Sequence, residues 1–215
     1  MTGPGGGRVL LRGVALALLA GVVAHAELPD SAKSQRESRF QRARVGSTPE
    51  EWARHLDGGP ADVRLEAVKL LAESNDPKAH EYLMQAVDNS DPRVAAAAID
   101  ALGRLGAKDA TSFLADRLVL AGTSAALRQR ILVALGRIKD PTAGRDVLSF
   151  VEAQSDPELR SLGIGVLGEI GDDSIRGDLR GLAARESNPA FKTLLQDAEA
   201  KIAARAGPAK SAGPP

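Results

Sequence analysis

No cysteine occurs in the 215 residues, which removes disulfides, thiolate metal ligands and a lipid-bearing cysteine anchor from consideration. Their absence does not argue against export, because a chain of this length buries enough surface without covalent staples. Aromatic residues are scarce, at 3%, so the apolar surface must come from alanine, leucine and valine, which suit close packing of helices. No window sustains the period-two alternation of apolar and polar residues that a half-buried strand leaves. Charge of one sign is not in excess either, with 28 Lys+Arg against 28 Asp+Glu. A strongly basic face would have suggested nucleic acid or anionic lipid, and this balance asks for neither.

One long apolar run is present, from Val14 to Ala24, preceded by Arg8 and Arg12 and followed by Ala24-His25-Ala26. It is shorter than the roughly 20 apolar residues of a spanning helix. Cationic flank, short apolar run and small residues before a cleavage point are the layout of a secretory signal peptide. The expectation is cleavage after Ala26 and a periplasmic or secreted mature protein, with no membrane attachment after cleavage. Removing residues 1–26 takes away two arginines and no acid, so the mature chain stays close to neutral. Residues 27–46 are polar and arginine-rich, with Leu28, Phe40 and Val45 as their larger apolar side chains, and read as a flexible linker. Residues 207–215, made of Gly, Pro, Ala, Ser and one Lys, read as a disordered tail.

Between them lies a repeat. Leu71-Ala72-Glu73-Ser74, Leu102-Gly103-Arg104-Leu105, Leu135-Gly136-Arg137-Ile138 and Leu167-Gly168-Glu169-Ile170 occupy equivalent places at spacings of 31, 33 and 32 residues. A period in this range signals stacked helical units, none of which can bury its apolar face alone. The first helix of each unit carries an apolar stripe at helical spacing, such as Val94, Ala97, Ala98, Ala101, Leu102 and Leu105, or Leu127, Ile131, Ala134, Leu135 and Ile138. Several open with Asp91-Pro92, Asp156-Pro157 or Asn188-Pro189, a capping side chain followed by proline at the first helical position.

The second helices align as columns: Leu83, Leu114, Val147 and Leu179 at one inward position, and Val87, Leu118, Val151 and Ala183 one turn later. One period earlier the columns reach Trp52 and Leu56, in a helix opened by a Thr48/Glu51 capping box. At the other end Phe191, Leu194, Leu195, Ala198 and Ile202 form a terminal stripe, with Lys192, Gln196, Glu199, Lys201 and Arg205 on a polar outer side. The fold expected over residues 47–206 is all-α, a right-handed α-solenoid of about five stacked helical hairpins.

The Leu-Gly-x-Leu/Ile helix ends, the Asp-Pro starts and the pairs Val63-Arg64, Leu127-Arg128 and Leu159-Arg160 resemble the short HEAT-like repeats named after phycobilisome lyases. The second unit departs, reading Val94-Ala95. The resemblance spans about residues 48–205 and implies an interaction scaffold. Some members of that family attach bilin pigments, so it also implies an alternative, a lyase-type or pigment-handling accessory enzyme.

Motifs for chemistry fail on context. Gly163-Ile164-Gly165-Val166-Leu167-Gly168 matches the dinucleotide fingerprint, but that fingerprint must follow a strand and open a helix. Here it falls inside a first-type helix, where small residues allow close helix approach. His80-Glu81-Tyr82-Leu83-Met84 has Met84 where a zinc-binding H-E-x-x-H helix needs its second histidine. Asp88-Asn89-Ser90-Asp91 and Asp172-Asp173 lack the glycine and terminal glutamate of a calcium loop, and no G-x-S-x-G elbow is present. The reading is therefore non-catalytic, without metal or cofactor: a monomeric scaffold that binds a protein or peptide partner and not nucleic acid. The outward columns of the second helices are apolar chiefly in the second unit, which makes Phe113, Val119 and Leu120, with Tyr82 from the preceding unit, the expected partner-binding residues. The competing reading is that some of these side chains widen the core stripe.

Overall fold

The computed structural model describes residues 45–206 apart from 75 and 77. The expected signal peptide, nearly all of the expected linker and the expected tail lie outside the described residues. Among the described residues ten α-helices run in sequence: α1 (Pro49–Arg54), α2 (Ala61–Glu73), α3 (Ala79–Val87), α4 (Pro92–Leu105), α5 (Thr111–Val119), α6 (Ala125–Ile138), α7 (Gly144–Ala153), α8 (Pro157–Ile170), α9 (Asp173–Arg185) and α10 (Pro189–Ala206). Short 3-10 turns at Lys108–Ala110 and Pro141–Ala143 lead into α5 and α7, and no strand occurs among the described residues.

The caps form where the sequence places them. Thr48 and Glu51 make the reciprocal capping box, and Asp91, Asp156 and Asn188 each accept a hydrogen bond from a backbone N–H two residues on. The helices then stack in two layers. In one, α2, α4, α6, α8 and α10 each pack on the next; the other contains α1, α3, α5, α7 and α9, whose members seat mainly on the first-layer helix that follows them. Five hairpins result, and the architecture is a HEAT-like α-solenoid.

The aligned columns are the core between the layers. Leu83, Leu114, Val147 and Leu179 are fully buried, and Val87, Leu118, Val151 and Ala183 nearly so. Leu56 is buried in the N-terminal half-repeat, while Trp52 is half-buried and donates its indole N–H to Gly46 O at 2.9 Å. Val45, inside the expected linker, is fully buried in the same core.

Among the stripe residues Ala97, Leu127 and Phe191 are only partly buried, and two are exposed. Leu105 is 38% exposed: α4 ends in a left-handed turn at Gly106, φ 64°, and the chain folds back so that Ala107 is buried and bonds to Leu102 O. Leu194 is 37% exposed because α10 is the last helix of its layer, and Leu195, Ala198 and Ile202 supply its buried stripe. Gly163 and Gly168 do serve close packing. A Cβ on Gly163 would lie 2.6 Å from a Val151 methyl, and one on Gly168 3.3 Å from Ala198 Cα. Gly165 faces open space, so close approach does not account for it.

The arginine early in the first-layer helices ties the units together. Arg64 reaches Asn89 and Asp91 across the stack, and Arg160 reaches Glu186 at 2.6 Å and covers the Phe191 ring at 4.6 Å. Arg128 turns instead to the carbonyl of Leu120.

Candidate partner-binding surface

The second repeat is irregular in two respects that converge on the end of α5. Ala95 stands where the other units have the reaching arginine, and it is buried. The connection from α5 to α6, running Leu120-Ala121-Gly122-Thr123-Ser124 with Gly122 at φ 95°, is also longer than those that follow α3, α7 and α9, though one residue shorter than the one from α1 to α2. Insertions in repeat proteins map to loops on one face, often the binding face.

This loop is held by its own backbone. Leu120 O accepts from Arg128 at 3.2 Å and from Thr123 N–H at 3.2 Å, and the Thr123 hydroxyl donates to Arg117 O at 2.9 Å. The anchored backbone leaves the side chains outward: Val119 is 52% and Leu120 50% exposed, adjacent and the most exposed of the large apolar residues described.

The other two expected site residues sit differently. Phe113 and Tyr82 are half-buried and packed against the core. Phe113 lies one helical turn before Arg117, whose guanidinium covers its ring at 4.5 Å. Arg117 in turn donates twice to Asp88, both bonds at 2.7 Å. That hydrogen bonding holds the Asp88 carboxyl below its ordinary range, against a smaller opposing effect of burial, and raises Arg117. The structure thus separates the four residues into an exposed pair, Val119 and Leu120, and a supporting pair, Phe113 and Tyr82.

The Gly163–Gly168 segment is interior to α8. His80 packs its Nδ1 2.8 Å from Asp109 of the next unit, an inter-repeat contact.

A family model described as HEAT repeats matches residues 50–121, which run from α1 through the end of α5. Over that third of the chain the sequence is similar to HEAT repeats. The stacking beyond residue 121 continues the same two-layer pattern through α10. No curated protein sequence matches the chain. HEAT repeats typically mediate protein–protein interaction, and in this repeat protein the exposed pair lies at the last positions that the family model matches.

Proposed function

We propose that this HEAT-like α-solenoid is an exported, non-catalytic scaffold that binds a protein or peptide partner through the solenoid surface, with Val119 and Leu120 among its apolar contacts. The observation that supports this reading is the pairing of two half-exposed aliphatic side chains on a loop whose backbone is fixed by Arg128 and Thr123. Apolar side chains presented on a rigid support bind with a small ordering cost. Export rests on the signal-peptide layout of residues 1–26.

The test compares Val119→Ser/Leu120→Ser with Phe113→Ser in affinity capture from envelope extract, with thermal melting alongside. The double variant should lose specific capture while its melting temperature stays close to wild type. Phe113→Ser should lower the melting temperature by several degrees, as a packed side chain does. Wild-type protein that captures no specific partner at any salt concentration would overturn the scaffold reading. Recovery of the chain from the cytosol with Met1 intact would overturn export.

A further inference from the structure

The outer face of the first layer is banded by charge. On α2 the outward positions carry Asp62, Glu66 and Glu73 around a single base, Lys69, and on α8 Glu158 and Glu169. Between these acidic bands, α4 and α6 present Arg93, Arg104, Arg130 and Arg137, and Asp100 is the only acid in either helix. Asp100 is engaged by Arg130, and Arg93 is held by Asp91, but Arg104 and Arg137 are exposed with no acidic partner among the described residues.

These arginines border a cleft. Near Gly103 the two helices approach so closely that a Cβ there would lie 2.8 Å from Ala134 Cα. Toward their N-terminal ends an open groove of about 420 Å³ remains, floored by Ala96, Ala97, Ala126 and Leu127 and edged by Arg93 and Arg130. It continues along α6 between Arg104, Arg130 and Arg137, with Asp100 in its wall beside Arg130. Small side chains leave room above the helix backbones, and no side chain of this chain's described part fills it.

We infer that the α4/α6 groove binds an extended acidic segment of a partner protein, with the alanine floor taking its apolar side chains, Arg104 and Arg137 its carboxylates, and Arg130 shared between Asp100 and the bound segment. The inference rests on the scaffold reading and adds the partner's charge and its place. Arg130 and Arg137 are seven residues apart, about 10 Å along a helix. An extended chain covers that distance in about three residues, so Asp or Glu at every third position matches the guanidinium spacing. Arginine at such sites makes charge-assisted, often bidentate bonds to carboxylates. The chain's own ends do not suit the groove: residues 207–215 contain no acid, and residues 27–44 carry five bases against three acids. Nucleic acid fits less well, because the floor offers methyl groups rather than the aromatic platforms on which bases stack.

The full mature chain is titrated with a fluorescent peptide carrying Glu at every third position among Leu and Ser, beside its Gln counterpart and a single-stranded oligodeoxynucleotide of similar length. Binding of the Glu peptide should exceed that of the Gln peptide and weaken as salt rises. Arg104→Glu/Arg137→Glu should weaken it at least about tenfold, a loss of roughly 1.4 kcal/mol. Ala126→Trp should also weaken it by filling the floor without changing charge, whereas Lys192→Glu, on exposed α10, should leave it within about twofold of wild type. Equal binding of the Glu and Gln peptides overturns the inference, as does an unchanged double charge reversal in a folded variant. Tighter binding of the oligonucleotide would make the groove a nucleic-acid site. Concentration-dependent dimerisation abolished by the charge reversal would assign the groove to a second copy. If the double reversal still captures a partner that Val119→Ser/Leu120→Ser loses, the scaffold reading stands and only the groove inference falls.

Discussion

At the scale of the residue, Asp91 carries the largest number of separate tasks. Its carboxylate caps α4 through Arg93 N–H at 2.9 Å, pairs with the Arg93 side chain, and accepts from Arg64 of the preceding unit at 3.3 Å. The Arg93 side-chain bond, then its backbone N–H, hold this group down to about 2 from an ordinary 3.8. Because the folded state binds its proton less readily than the unfolded state, the associated stability is present above the ordinary value and is lost as pH falls through that window toward about 2. Asp91→Asn keeps a capping oxygen but removes the charge. It should melt below wild type at neutral pH, with the difference shrinking as pH is lowered from about 4 to about 2. A difference independent of pH in that range would mean that the charge contributes nothing and only the shape of the cap matters.

At the scale of the element, the glycines of the first-layer helices separate packing from propensity. Gly103 lies against the backbone of Ala134, so Gly103→Ala forces α4 and α6 apart and should cost about 1–3 kcal/mol despite the better helix propensity of alanine. Gly165, on α8, meets nothing within 4 Å, and Gly165→Ala should stabilise by about 0.5–1 kcal/mol. Chemical denaturation of the two variants checks both signs, and equal signs would refute the contrast. The same contrast marks what was legible in the sequence. Columns such as Leu83, Leu114, Val147 and Leu179, and caps such as Asp156, follow from period and residue type and are found in place. Leu105 and Leu194 escaped, because a fold-back at Ala107 and the end of a stack depend on what packs next to an element rather than on its own pattern. In the candidate site the apolar second unit was visible, but the division into exposed Val119 and Leu120 and packed Phe113 and Tyr82 depends on how far each helix leans on its neighbour. The arginine band was also present as a signal, in Arg104 and Arg137 one repeat apart, and emerges once outward positions of the first-layer helices are compared as the inward ones were.

At the scale of the whole molecule, each first-layer helix packs mainly on its sequence neighbours in that layer, so a perturbation should spread through adjacent hairpins and weaken with distance. Leu135 is buried in α6, at the middle of the stack. Leu135→Ala should cost about 2–5 kcal/mol and raise amide exchange in α6 first, then in α4 and α8, before α2 or α10. Arg205 is a harsher test of what an outer face does. Read from sequence it is a polar residue on the terminal helix whose loss should matter little. In the structure it donates to Gly168 O at 2.6 Å and Gly171 O at 2.8 Å, satisfying carbonyls at the end of α8 that have no helical partner. Arg205→Ala should therefore cost about 1 kcal/mol, with faster exchange confined to the last turn of α8 and to α10. The two variants should differ both in depth and in reach. If Leu135→Ala accelerated exchange equally from α2 to α10, the stack would be unfolding as one unit, and nearest-neighbour coupling would not describe it.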